Sequence, residues 1–213
     1  MSIHTVIERI KARPGMYLGR ESLTALSMFI CGYKAAEYDY AIKETEKQGL
    51  LPLGYDMMNG YADFIFGNKL SLGFCSVILK ACGGDEKRAF KKFFEMYDEL
   101  TGADINRYWV TKLTVENIEE WDSRYYYLNH GEKNPVLEKP ETVYIIELSL
   151  NAYLIAVNTE SGLIMLDSQF FGSFDDAICS HYIKSFGNPD DWKEVSGGDI
   201  FICENTCEKA DKD

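Results

Sequence analysis

The spacing of apolar residues changes once along this chain, and that change restricts the folds open to it. Up to about residue 122 they recur every three or four positions; from Val143 on they alternate or form short runs. The first spacing is one face of an α-helix, the second that of a strand. Helices followed by strands, without βαβ alternation, predict the α+β class. The expected fold is a helical N-terminal region packed on a small, mainly antiparallel C-terminal sheet with one or two helices. Residues 1–122 read as helical, 140–204 as strand-rich and 205–213 as a frayed polar tail, in one compact unit.

Punctuation residues sharpen the pattern. Ile3, Val6, Ile7 and Ile10 share a face of a helix over 3–12, which must stop before Pro14. Arg13–Gly19 reads as a turn whose Met16, Tyr17 and Leu18 plug the joint. Ser22 caps a helix to Gln48 with Leu23, Leu26, Ile30, Tyr33 and Tyr40 in its core stripe, and Gly32 marks a close approach. Helices over 57–66 and 72–82 follow, the second closed by Gly83-Gly84. Asp85 caps the clearest helix, with Ala89, Phe90, Phe93, Phe94, Tyr97 and Leu100 on one face; Lys87, Arg88, Lys91 and Lys92 read as its solvated face, with a phosphate-binding stripe as the rival reading. Strands are expected over 143–150, 153–158 and 163–167, forming a small sheet whose one exposed face the N-terminal helices cover. A helix capped by Ser173 and running to Phe186, then a hairpin around Gly197-Gly198, complete the reading.

Charge is unevenly placed. The net charge is −12, yet residues 1–110 hold 14 acids and 14 bases, while residues 111–213 hold 20 acids and 8 bases. A field of that sign repels nucleic acid and anionic membrane and steers basic partners toward it. The first ten residues lack a basic start followed by an apolar run, so no signal peptide is expected. No apolar run approaches the roughly 20 residues that span a bilayer. The expected compartment is the cytoplasm. The six cysteines form no Cys-x-x-Cys pair and are expected to be small buried hydrophobes.

Catalytic constellations are not legible. His4, His130 and His181 are far apart, and Cys179 and His181 would point to different sides of a helix. Asp175-Asp176 and Asp190-Asp191 read as helix-start and turn acids rather than metal ligands. No cofactor is expected.

Arg13-Pro14-Gly15-Met16-Tyr17-Leu18-Gly19 resembles the Arg-Pro-Gly-Met-Tyr-Ile-Gly segment near the start of the DNA gyrase B ATPase domain, where the next helix supplies a Glu and an Asn for the catalytic water and Mg-ATP. Here Leu23–Ala36 has neither residue, and the chain has no Asp-x-Gly-x-Gly loop, so the resemblance implies no ATPase. With Ser22-Leu23, Phe29–Tyr33 and the stretch from Ser71–Phe74 through Cys82–Asp85, the same string resembles small bacterial immunity-type proteins of polymorphic and contact-dependent toxin systems, over roughly residues 5–100.

That resemblance implies a non-catalytic protein that neutralises a cognate toxin domain, and the acidic half agrees with a basic, nuclease-type target. The expected contact surface is Glu116, Glu119, Glu120, Asp122, Tyr125 and Tyr127 together with Asp190, Asp191 and Trp192, because interface hot spots favour Trp and Tyr and acids steer association. Nucleic acid and membrane are not expected partners. The rival readings are an enzyme of unrecognised type, which needs acids and a His converging in a pocket, and an acidic DNA mimic, which needs even acidic coverage of an elongated face.

Overall fold

The computed structural model describes residues 2–40, 54–68, 72–112, 142–159, 162–165, 169–180 and 191–196. The chain is α+β, with a helical N-terminal region and an antiparallel sheet, and it divides into two compact units, Met1–Ala103 and Asp104–Asp213. Among the described residues no helix is long and apolar enough to cross a membrane.

The first unit holds α1 (Ile3–Ala12), α2 (Pro14–Leu18), α3 (Leu23–Asp39), a 3₁₀ turn (Tyr55–Met57), α4 (Met58–Phe66), α5 (Phe74–Ala81) and α6 (Glu86–Thr101). α1 buries Ile3, Val6, Ile7 and Ile10, the face its spacing predicts. α6 buries Ala89, Phe90, Phe93, Phe94, Met96, Tyr97 and Leu100. Each of its large apolar side chains contributes about 1.5–3 kcal/mol on burial, so this helix is the main packing element of the unit. Its rings interlock: Phe93 lies 5.2 Å from Phe74 and 5.8 Å from Tyr97, centroid to centroid. His4 Nδ1 and the Tyr97 hydroxyl share a 2.6 Å hydrogen bond that ties α1 to α6.

Helix ends follow local chemistry where the sequence signals them. Ser22 Oγ accepts from the Ala25 amide and Asp85 Oδ1 from the Arg88 amide. α4 and α5 each close with a left-handed glycine, Gly67 at φ 61° and Gly83 at φ 67°. The amide just after each of these glycines reaches back to a carbonyl inside the helix, Asn68 to Asp63 at 2.9 Å and Gly84 to Leu79 at 2.8 Å.

Five expectations for this unit are corrected. Pro14–Leu18 is a short helix rather than a turn, because proline has the φ a first helical position needs and no amide to leave unpaired. Met16 is 73% exposed, so only Tyr17 and Leu18, both half-buried, serve the joint. Tyr40 is exposed, so it lies outside the core stripe of α3, and a Cβ on Gly32 would meet nothing within 4 Å. Cys31 is exposed and Cys75 half-buried; of the described cysteines Cys82 is the buried one, and Cys179 of the second unit is exposed too. The expected extension of α3 to Gln48 lies outside the described residues.

The second unit holds β1 (Ile105–Lys112), β2 (Thr142–Leu148), β3 (Ala152–Thr159), β4 (Gly162–Met165), α7 (Phe174–Ile178) and β5 (Lys193–Ser196). The five strands form one antiparallel sheet in the order β4-β3-β2-β1-β5. β1 lies within the stretch read as helical: Tyr108, Trp109 and Thr111 are buried, and Tyr, Trp and Thr suit a pleated surface. Asn151, at φ 53°, makes the β2–β3 turn, a conformation Asn tolerates.

Trp109, Val143, Ile145, Ile155 and Val157 share one sheet face, covered by Phe171 and Ala177 with Phe174 and Ile178 beside them. On the other face Ile146, Leu148, Ala152, Leu154 and Ala156 are also buried. The central strands therefore have no solvated face, and their near-continuous apolar runs are the sequence mark of that burial. α7 starts where expected, with Ser173 Oγ accepting from the Asp176 amide at 3.0 Å. The helix expected to run to Phe186 instead ends at Ile178, capped at Cys179, whose amide donates to the Asp175 carbonyl; residues 181–186 and the Gly197-Gly198 hairpin lie outside the described residues.

Candidate functional site

Of the expected contact surface, Glu116, Glu119, Glu120, Asp122, Tyr125, Tyr127 and Asp190 lie outside the described residues. Asp191 and Trp192 lead into β5, which pairs with β1 at the end of the sheet. Asp191 is exposed, whereas Trp192 is half-buried against the sheet core. The Trp192 ring meets Phe174 edge-on at 6.3 Å. This contact brings the start of α7, with exposed Asp175 and Asp176, to the beginning of β5. Residues 15 or more positions apart thus form one acidic and aromatic region, which sequence reasoning had left as a helix start and a separate turn. Trp192 Nε1 is buried and has no hydrogen-bond partner among the described residues.

A second feature of this face is ion-paired within itself. Arg107 on β1 pairs with Glu147 on β2 and, at 3.3 Å, with Glu194 on β5, and its guanidinium stacks 4.8 Å from the Trp109 ring. Register explains the group: Arg107 opposes Glu147, and Trp109 opposes Glu194. The two carboxylates hold the Arg107 charge firmly on, Glu147 most. In contrast, Asp104, Asp175 and Asp191 make no ion pair among the described residues.

The first unit holds a groove of about 650 Å³ lined by Phe66, Ala81, Cys82, Asp85, Lys87, Arg88, Lys91, Lys92 and Glu95. Its cations are those read from sequence as a solvated helix face. The periodicity of α6 placed them on one side; the opposing wall, at the ends of α4 and α5, is far away in sequence and gave no signal.

Other reactive groups have structural partners. The Tyr61 hydroxyl lies 3.3 Å from Glu99, and burial together with that carboxylate pushes its pKa up to about 12. Burial pushes the Cys75 thiol up as well, with Thr24 and Ser27 opposing; a raised thiol is a weaker nucleophile at neutral pH. Among the described residues no three His, Cys, Asp or Glu side chains are disposed to hold a metal ion. The chain matches no protein-family model, no curated protein and no solved structure.

Proposed function

We propose that this chain is a non-catalytic, immunity-type inhibitor that binds a basic bacterial toxin domain through its acidic unit and blocks the toxin's active or substrate-binding surface. The observation that carries this reading is the match between charge and architecture. Asp104–Asp213 holds 21 acids against 9 bases, and Met1–Ala103 holds 13 of each, so the whole net charge of −12 belongs to one compact unit. A solubility role alone does not call for that partition. Within the described part of that unit, exposed Asp175 and Asp191 flank the Phe174–Trp192 contact. Acids at a rim steer an approaching cation, and an aromatic pair supplies contact area. The partner would bind here or on the expected stretch from Glu116 to Tyr127. The reading asks no chemistry of this chain; shape and charge complementarity do the work.

Co-expression tests it. The chain should restore growth to cells making the toxin domain encoded immediately upstream of it, and should form a complex with that domain. Purified complex formation with no protection of cells, or protection with no complex, would sink the inhibitor reading.

A further inference from the structure

We propose that the groove between α6 and the ends of α4 and α5 is a binding site for a compact phosphate-bearing small molecule, its phosphate held by Arg88 and Lys91. This inference is independent of the toxin-inhibitor reading, because every residue it uses lies in the first unit. Four cations line the groove within six residues. Helical spacing sorts them into two adjacent rows, Lys87 with Lys91 and Arg88 with Lys92. Two are occupied: Lys87 Nζ lies 3.3 Å from Glu21, and Lys92 Nζ 3.2 Å from Glu95. Arg88 and Lys91 make no ion pair among the described residues, and both are exposed.

A competing use for these cations is to neutralise the carbonyl ends of α4 and α5, since Phe66 and Ala81 close those helices at the groove wall. That work is already done by backbone amides. Asn68 and Gly67 donate to α4 carbonyls, and Gly84, Gly83 and Cys82 to those of α5. The charge of Arg88 and Lys91 therefore remains available to something else.

Three features define what it would be. Arg88 and Lys91 are three residues apart on one helix, so their heads can converge on the oxygens of one phosphate; a guanidinium fork suits that group especially. Asp85 and Glu95 stand at the two ends of the cationic run. They would repel an extended acidic polymer but leave room for a single anion between them. Phe66, Ala81 and Cys82 supply an apolar wall, and the volume lies within the range of small-molecule sites, about 300–1,000 Å³. A phosphate joined to a ring uses both halves of the groove.

The test is a titration of the isotopically labelled full chain, followed by amide NMR, with adenosine monophosphate, inorganic phosphate, adenosine and a poly-glutamate peptide as probes. Adenosine monophosphate should give saturable shifts at Phe66, Cys82, Arg88 and Lys91, tighter than inorganic phosphate, with adenosine silent. Arg88→Gln with Lys91→Gln should weaken binding at least about tenfold, which is about 1.4 kcal/mol, with an unchanged melting temperature. No saturable shift with either phosphate probe up to about 10 mM, far weaker than the millimolar affinity of a loose site, overturns the proposal. So does binding that survives the double substitution, or a response to poly-glutamate without one to the phosphates.

Discussion

Glu86, the first residue of α6, caps the start of α3: one carboxylate oxygen accepts from the Thr24 amide at 3.0 Å, and the other from the Thr24 hydroxyl at 2.5 Å. Ser22, itself the local cap, donates to the same carboxylate at 2.9 Å. One helix start thus satisfies the orphan amides of another, 62 residues away. Asn59 does the same across α4 and α5, its Oδ1 accepting from the Phe74 amide at 2.8 Å.

Replacing Glu86 should therefore destabilise a helix it does not belong to. Glu86→Ala is expected to cost about 1–2 kcal/mol, the range for losing a cap, read by urea denaturation, with hydrogen exchange rising first at Thr24 and Ala25. Exchange rising only within α6 would refute the cross-helix cap.

The same contacts set a pH dependence. Hydrogen bonds from Thr24, then Ser22, hold the Glu86 carboxyl below its ordinary range. The unfolded chain therefore takes up the proton first as pH falls. The stability Glu86 contributes is whole above the unfolded value of about 4.3 and is lost as pH drops through the folded one. Glu86→Gln should flatten the stability profile in that acid window and leave its slope near neutrality unchanged, as thermal melts across pH would show.

Two glycines should respond with opposite signs. Gly83→Ala forces a side chain into the left-handed region and should destabilise by about 1–2 kcal/mol. Gly32→Ala, mid-helix with open space around its Cβ, should stabilise by about 0.5–1 kcal/mol. Denaturation midpoints decide both; a loss at Gly32 would reinstate the close approach expected there.

Tyr17 meets Phe29 edge-on at 6.3 Å and is half-buried. Tyr17→Ala should cost about 1–2 kcal/mol, less than the 3–5 kcal/mol typical of a fully buried aromatic. Met16→Ala, at an exposed position, should stay within about 0.5 kcal/mol. Equal losses for the two would mean that the whole motif is packed.

If the acidic unit engages a basic toxin, association should be fast and should slow steeply between about 50 and 500 mM salt as the Debye length shrinks. Asp175→Asn with Asp191→Asn should lower the on-rate and change the off-rate little, whereas Trp192→Ala should speed dissociation. Stopped-flow traces insensitive to salt would remove the charge argument.

What the sequence determined by itself is local. The faces of α1 and α6, the caps at Ser22, Asp85 and Ser173 and the glycine stop after α5 all follow from groups within one or two turns of each other, where spacing alone fixes who meets whom. The unequal charge of the two halves was legible too, since it needs only counting. Tertiary structure decided the rest. Glu86 reached Thr24, Asn59 reached Phe74, Phe174 met Trp192, and the α6 cations gained a facing wall, because each contact joins residues whose distance in space has no imprint on their spacing in the chain. Cys31, Tyr40 and Gly32 went the same way: helical spacing says which residues share a face, but only packing says which positions are covered, and these three are left open.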